Sequence, residues 1–296
     1  MLNKKQFSVL SILAENGKPL SQRKIAAKAG ISVGSVNHIL DEIKTAGLYD
    51  GTAVTKKGFE ALEPYRVKRA VILAAGFGDR LMPITLNTPK PLIRVNGVRI
   101  IDTILDALYA KDIKEIWVVR GYLKEQFEVL LHKYPTLKFI DNDDYKETHN
   151  ISSVLAARDH LANAYVIEGD LLIRDPSLIR KYQYESNYLG VPVERTDDWC
   201  FTANHKKEIT GIVVGGLNCW HMYGISYWTE EDGKKLSKHI KEEYEAPGGR
   251  ERFWDLVPLQ YHLSDYSVYV RECSFEDIIE IDTFNELTAL DPAYLL

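Results

Sequence analysis

The chain has 296 residues, of which 45% are hydrophobic and 27% charged, a composition typical of a globular protein with one large or two unequal domains. No apolar run approaches the roughly 18 residues of a membrane span, and residues 1–5 lack the apolar core of a signal peptide. Three cysteines without a Cys-x-x-Cys pair favour neither a zinc site nor a disulfide framework, so we expect a cytoplasmic protein.

The formal net charge of −5 is unevenly distributed. Residues 1–66 carry ten Lys or Arg against six Asp or Glu, a balance of +4, whereas the remainder carries 27 against 36, a balance of −9. The two parts are therefore expected to have different partners.

In the first 65 residues, segments with the apolar periodicity of helices are separated by residues that favour helix ends. Periodicity predicts helices over residues 3–14, 22–29, 32–45 and 56–62, with a break at Gly17-Lys18-Pro19. Ser21 and Ser32 are suitable N-caps, and 48–55 is typical of a hairpin with Asp-Gly at its turn. This order resembles a winged-helix module, in which 32–45 would be the recognition helix. Its outward face is poor in Arg and Lys, so we favour a protein contact over DNA binding, which we expect to be weak.

Residues 63–66 are predicted to be a linker, because Pro64 ends the preceding helix, which gives a domain over 1–65 and a second over 67–296. In the second domain, predicted strands occupy residues 71–75, 115–120, 138–141, 165–170, 187–192, 201–204, 208–214, 219–228, 268–272 and 278–281. Predicted helices occupy 100–111, 124–134, 152–160 and 230–245. Strands separated by helices indicate an α/β fold with a doubly wound, mixed and mostly parallel sheet, which binds ligands beyond the carboxyl ends of its strands.

A glycine-rich turn follows the first of these strands. The segment reads Leu-Ala-Ala-Gly-Phe-Gly-Asp-Arg-Leu over 73–81, and Pro-Lys-Pro-Leu follows at 89–92. Glycines without a Cβ let the backbone approach an anion, and successive N–H groups form an anion-binding concavity. We therefore expect a triphosphate site at Leu73, Ala74, Ala75, Gly76, Phe77 and Gly78, with Arg80 and Lys90 as its cations. Neither the third glycine of a dinucleotide fingerprint nor a Walker pattern is present.

Two carboxylates follow β-rich runs further along the chain. Asp170 comes after the strand that ends in Glu168-Gly169, and Asp282 follows Ile279-Glu280-Ile281. Oxygen ligands suit Mg²⁺, which can bridge phosphate oxygens, so we expect this pair to bind magnesium.

A set of aromatic and acidic residues lies between these carboxylates in the sequence: Trp199, Phe253, Trp254, Asp255 and Glu280. Aromatic faces with nearby carboxylates suit an ammonium group. Taken alone, such aromatics are more often core residues.

The glycine signature resembles that of the nucleotidyltransferases that make sugar nucleotides and related activated alcohols. From 67 to 291 the chain further resembles the bacterial choline-phosphate cytidylyltransferases, on strings at 121–127, 161–167, Trp199, 253–255 and 280–282. The resemblance implies CTP as donor, Mg²⁺ bound by Asp170 and Asp282, and phosphates held by the loop, Arg80 and Lys90. It also implies a choline head group held by the aromatic and acidic set, and a base and ribose pocket that includes Asn142, Asn150 and Ser153.

Two departures put the head group in doubt. Phe253 stands where the family has Tyr, and Glu168-Gly169-Asp170 stands where it has Asp-x-Asp. The product implied first is CDP-choline, and 2-aminoethylphosphonate and phosphoethanolamine are alternative acceptors. A sugar-1-phosphate transferase, or a regulator with a transferase-like sensor domain, stays open as a different class, as does a homo-oligomeric state.

Overall fold

The computed structural model describes residues 1–16 and 19–295, so the predicted break at Gly17 and Lys18 lies outside the described residues. The chain forms two compact units. The first comprises Met1–Val67 and Lys181–Tyr184, and the second comprises Lys68–Arg180 and the chain from Glu185 onward. Within the described ranges, no helix is both long and apolar enough to cross a membrane.

The first unit is built from four short helices: α1 (Lys4–Asn16), α2 (Gln22–Ala29), α3 (Val33–Thr45) and α4 (Lys56–Leu62). The predicted caps form, because the Ser21 and Ser32 hydroxyls accept the N–H groups of Lys24 and Ser35. The predicted hairpin at 48–55 is reduced to a single bridge between Tyr49 and Val54.

Residues 181–184 pack into this first unit, although the sequence prediction placed them in the second domain. Tyr182 is 6% exposed within the helical core, and the rings of Tyr184 and Tyr65 stack 5.4 Å apart. Phe7 lies 5.3 Å from Tyr184 and 4.9 Å from Tyr65. The predicted linker at 63–66 is therefore a short helical turn, and its Tyr65 is part of an aromatic cluster. Burying these rings stabilises an ordered segment in place of a flexible linker.

We expect a chain that lacks residues 1–65 to keep transferase activity and to lose stability. The cleft described below is lined only by residues from Leu73 to Asp282, whereas Tyr182 and Tyr184 would lose their apolar partners. Thermal unfolding should show a Tm about 5 °C lower or more, with kcat changed little. A full-length Tyr184→Ala variant is the matched control for the lost aromatic contacts. A truncated protein that folds but has no activity would contradict this expectation.

The second unit contains eleven strands: β1 (Arg69–Ala74), β2 (Arg94–Val95), β3 (Val98–Arg99), β4 (Glu115–Arg120), β5 (Lys138–Asp141), β6 (Ala164–Glu168), β7 (Leu171–Ile173), β8 (Asn187–Ala203), β9 (Ile209–Trp228), β10 (Tyr269–Glu272) and β11 (Ile278–Glu280). Seven of them form one sheet in the order β10-β8-β9-β6-β1-β4-β5. The β1 neighbours β4 and β6 are parallel to it, and β9 is antiparallel to both β6 and β8. The predicted mixed, mostly parallel sheet is confirmed.

The helices of this unit are α5 (Ile100–Ala110), α6 (Ile151–Ala156), α7 (Glu230–Glu245) and α8 (Phe284–Leu290). Several predicted elements differ. The segment predicted as a helix over 124–134 forms 3₁₀ turns over Lys124–His132, and four predicted strands merge into the 17-residue β8 and the 20-residue β9. The sequence analysis did not predict β2, β3, β7 or α8.

Strand β1 positions the site, because it is central and buried from Ala70 onward. Its register pairs Ala74 with Arg120 of β4 and Leu73 with Glu168 of β6. The carboxyl ends of these three parallel strands therefore meet at one edge of the sheet, where a doubly wound fold binds its ligand.

Candidate active site

The glycine loop leaves β1 at this edge. A Cβ on Gly76 would meet no atom within 4 Å, so the backbone there is open to the cleft. Gly78 differs, because its φ is +69° and a Cβ would lie 3.0 Å from Thr85 and 3.1 Å from Lys90. Only glycine combines that conformation with that approach. Gly78 thus lets the loop pack on the segment that carries Lys90.

Lys90 forms salt bridges with both of the carboxylates that were predicted to bind metal. Its Nζ lies 2.7 Å from Asp170 Oδ2 and 2.8 Å from Asp282 Oδ1, and Arg80 Nη2 lies 2.9 Å from the same Asp282 oxygen. Burial alone would lower the pKa of Lys90, but the charges of Asp170 and Asp282 more than offset this and raise it. Lys90 is therefore a permanent cation, and its side chain is only 11% exposed.

A small two-stranded sheet brings the two aspartates together across 112 positions of sequence. Asp170 lies between β6 and β7, and β7 pairs antiparallel with β11, with Leu171 opposite Glu280. Asp282 follows β11, and the Ile281 N–H donates to the Asp170 carbonyl at 3.5 Å. Gly169 supports this turn, because a Cβ there would lie 2.9 Å from the Leu73 carbonyl oxygen.

The floor of the cleft has an excess of negative charge. Carboxylate oxygens of Glu168, Asp170 and Glu280 all lie within 4.8 Å of one another. Burial and the charges of Asp255, Asp170 and Glu280 raise the pKa of Glu168 well above its usual range. Burial, followed by the charges of Asp170 and Asp282, raises the pKa of Glu280 to about 8. Burial also raises the pKa of Asp255 to about 7, although the Tyr188 hydroxyl donates to it at 2.7 Å. Bound cations would stabilise all three as carboxylates.

These residues fit a magnesium ion. Oδ1 of Asp170 is buried and has no hydrogen-bond partner within residues 1–16 and 19–295, so this oxygen has a free coordination position. The available donors are carboxylate oxygens, which Mg²⁺ prefers.

An aromatic wall faces the acidic floor. The Trp199 and Phe253 rings are 5.1 Å apart, and the His149 ring lies 3.7 Å from Phe253. Nδ1 of His149 accepts the Asn150 N–H at 2.9 Å, so a neutral His149 carries its proton on Nε2. The structure brings Trp199 and Phe253 into the cleft with Asp255 and Glu280.

Three predicted site residues do not line the cleft. Trp254 is 1% exposed and packs in the core against Tyr188 and Trp228, so it supports Phe253 and Asp255 from behind. Asn142 is buried and its amide donates to the hydroxyls of Ser152 and Ser153. Phe77 points away from the wall, between the rings of Tyr122 and Tyr145.

The cleft has a volume of about 630 Å³. It is lined by Leu73, Ala74, Ala75, Gly76, Gly78, Asp79, Arg80, Lys90, Pro91, His149, Asn150, Ser153, Glu168, Asp170, Asp198, Trp199, Ile212, Met222, Gly224, Phe253, Asp255, Glu280 and Asp282. Sequence reasoning did not assign His149, Glu168, Met222 or Gly224 to the site. His149 and Glu168 lie close in sequence to assigned residues, which could have indicated them. Met222 and Gly224 have no such signal in the sequence.

Comparisons with known proteins agree with this geometry. The nucleotidyl transferase family model matches residues 69–186, and a winged helix-turn-helix DNA-binding model matches residues 2–48. The chain is 37% identical over 229 residues to the 2-aminoethylphosphonate cytidylyltransferase of Lancefieldella rimae, an alignment that spans 76% of this chain and 93% of that protein. It is 32% identical over 224 residues to the choline-phosphate cytidylyltransferase of Streptococcus pneumoniae, across 75% of this chain and 96% of that protein.

A solved structure is also similar. The CTP:phosphocholine cytidylyltransferase from Streptococcus pneumoniae superimposes with a TM-score of 0.72 at 32% identity, which covers 77% of this chain and 99% of that one. The nucleotidyltransferase fold is thus shared over most of the second unit.

Proposed function

The chain belongs to the family of CTP-dependent cytidylyltransferases, and from this premise we propose that it transfers CMP from CTP to a small amino-bearing phosphonate or phosphate. The favoured acceptor is 2-aminoethylphosphonate, with CMP-2-aminoethylphosphonate and pyrophosphate as products. The similarity to the Lancefieldella rimae enzyme supports this acceptor, as does the chemistry of the head-group end of the cleft.

The observation that carries the proposal is the excess of carboxylates beside the aromatic wall. Glu168, Asp255 and Glu280 offer many acceptor oxygens in a partly dry site, and such a site favours a ligand that brings both positive charge and N–H donors. A primary ammonium has three donors. Trp199 and Phe253 add aromatic faces, which attract any cation.

The reaction needs positioning and charge neutralisation more than proton transfer. An acceptor oxygen attacks the α-phosphorus of CTP in line, a new P–O bond forms, and the bond to the β-phosphate bridging oxygen breaks as pyrophosphate leaves. The acceptor is already an anion, so no general base is required. Gly76 and its neighbours would hold the triphosphate through backbone N–H groups, and Lys90 and Arg80 would neutralise its charge.

We propose Asp170 and Asp282 as the residues that hold magnesium, with Glu168 and Glu280 as neighbours able to contribute. When bound, the ion would supply charge neutralisation on phosphate oxygens. Asn150 and Ser153 line the cleft and would contact the base and ribose, with Asn142 fixing the Ser153 hydroxyl.

Phosphocholine, the first choice of the sequence analysis, stays as the second candidate acceptor. The specific observation in its favour is the paired aromatic faces of Trp199 and Phe253, because a trimethylammonium depends on such faces. The sugar-1-phosphate and pure regulator alternatives have no comparable support.

The decisive experiment measures pyrophosphate release with CTP and Mg²⁺ against a panel of acceptors. The panel contains 2-aminoethylphosphonate, phosphoethanolamine, phosphocholine and ethylphosphonate, which lacks the nitrogen. We expect the highest kcat/KM with 2-aminoethylphosphonate and very little turnover of ethylphosphonate. A preference for phosphocholine would reverse the order of the two candidates.

Trp199 and Glu280 should separate the two acceptors. We expect Trp199→Ala to reduce kcat/KM more for phosphocholine, because cation–π attraction supplies about 0.5–2 kcal/mol per face and a trimethylammonium has no N–H donor. Glu280→Gln should do the reverse. Both variants are compared with the wild type on both acceptors. Equal losses that extend to ethylphosphonate would mean that these side chains support the fold instead of the head group.

For residues 1–65 we propose DNA binding that is weak at most. The matching family model points to DNA, but the outward face of α3 carries His38 beside Glu42, with their atoms 3.1 Å apart, and Asn37 already accepts a hydrogen bond from Gln22. Anisotropy titrations of the full chain on duplex DNA should show affinity at low salt that is lost at physiological salt. Tight, sequence-selective binding at physiological salt would contradict this.

A further inference from the structure

We propose that Glu168, seated against Gly224, selects a primary ammonium over a trimethylammonium head group. This inference rests on the proposed function and names the side chain that decides which amine the site accepts. Glu168 lies at the end of β6 and lines the cleft between the metal carboxylates and the aromatic wall.

The backbone of β9 makes room for the Glu168 side chain. A Cβ on Gly224 would lie 2.4 Å from Glu168 Oε2 and 2.6 Å from its Cγ, so any other residue at this position would require the end of the Glu168 side chain to move. Gly224 has no positive φ, and it lies where the β8–β9 register shifts between the pairs Tyr188–Ser226 and Leu189–Tyr223. The absence of a side chain at Gly224 leaves room for the Glu168 carboxylate in the cleft.

The seated carboxylate lacks hydrogen-bond donors. In the part of the chain that the structure describes, no side chain or backbone N–H donates to the carboxylate oxygens of Glu168 or Glu280 within hydrogen-bond distance. Asp255 receives one donor, the Tyr188 hydroxyl. An acceptor-rich, donor-poor pocket is satisfied by a guest that carries its own N–H groups.

The two head groups differ in what they offer this pocket. A primary ammonium can direct its three donors at Glu168, Asp255 and Glu280. A trimethylammonium offers no N–H donor, and its methyl groups would displace water from the Glu168 carboxylate without replacing the lost hydrogen bonds. The aromatic wall attracts both cations, and the trimethylammonium depends on it more. Glu168 favours the primary ammonium.

The test compares acceptor preference in Glu168→Gln and Glu168→Asp with the wild type, using the full chain. The measured quantity is the ratio of kcat/KM for 2-aminoethylphosphonate to kcat/KM for phosphocholine. Loss of a charge-assisted hydrogen bond should lower this ratio about 10- to 100-fold in Glu168→Gln, because the primary ammonium loses a hydrogen bond that phosphocholine does not make. Glu168→Asp retracts the charge, so it should lower the ratio less and leave more room for the trimethylammonium.

A matched control is Glu272→Gln, which removes an exposed glutamate that pairs with Lys207 outside the cleft and should leave the ratio unchanged. Circular dichroism melting shows whether each variant folds. If Glu168→Gln does not fold, the comparison is made with Glu168→Asp.

Glu168 also lies close enough to Asp170 to bind the metal, so the Mg²⁺ concentration for half-maximal rate is measured with both acceptors. Equal losses on both acceptors, or a raised Mg²⁺ requirement that accounts for the loss, would make Glu168 a metal ligand and overturn the inference.

If the wild type uses neither acceptor, the proposed function fails and the inference fails with it. If the wild type uses 2-aminoethylphosphonate but the ratio does not move, only the inference fails.

Discussion

Asp170→Ala is expected to abolish nearly all Mg²⁺-dependent pyrophosphate release, by roughly 1,000-fold in kcat. Asp170 has one oxygen on Lys90 and a second that is buried and has no hydrogen-bond partner within the described residues. Removing a residue that would hold the metal should cost several kcal/mol of transition-state stabilisation. The fold should survive, because Lys90 keeps Asp282 as its partner.

Asp282→Ala should have a similar effect, with an added loss of the contact to Arg80. The matched control is Asp159→Ala, whose side chain is 82% exposed outside the cleft and which should have wild-type turnover. The measurement is the steady-state rate of each variant across a Mg²⁺ titration, with a melting curve to show that the variant is folded. Near-normal Mg²⁺-dependent turnover in either cleft variant would show that the residue is not a required ligand.

Lys90→Ala should lower kcat by about 100- to 1,000-fold while the KM for the acceptor changes little. Lys90 is a buried cation fixed by two carboxylates, so we expect its charge to act on bound phosphates with little cost of reorganisation. A cation placed in this way acts mainly on charge that develops in the transition state. Arg80→Ala should cost less, because the Arg80 side chain is 68% exposed and water screens its charge.

The control for Lys90 is Lys124→Ala, which removes a lysine paired with Asp141 and Asp143 away from the cleft. Separate determination of kcat and KM for CTP and for the acceptor distinguishes the roles. An effect confined to the KM of the acceptor would mean that Lys90 binds the head-group substrate and has no role in the transfer step.

Local sequence was enough wherever the deciding interaction is local. The caps Ser21 and Ser32 depend on N–H groups three residues away, and the boundaries of β4, β5 and α7 were predicted to the residue. The glycine turn after β1 was predicted from glycines that let the backbone approach an anion, and the φ of +69° at Gly78 gives a further, conformational reason for glycine there. These features follow from the order of neighbouring residues.

The arrangement of the site depends on contacts between residues far apart in sequence. Asp170 and Asp282 meet because β7 pairs with β11, and both strands are too short for periodicity to reveal their pairing. Trp254 and Phe253 are adjacent in sequence, yet one is buried in the core and the other faces the cleft. Composition does not distinguish two neighbouring aromatics, because the choice is made by what packs against each.

The sequence by itself determined the caps, the glycine turn after β1 and, through resemblance, the family. Only the tertiary structure decided that residues 181–184 pack with the N-terminal helices, since nothing local marks Tyr182 and Tyr184 as partners of Phe7 and Tyr65. It also decided that Glu168 lines the cleft, since the room for its side chain comes from Gly224, 56 positions later. Burial and charge act through space, and the fold alone sets those distances.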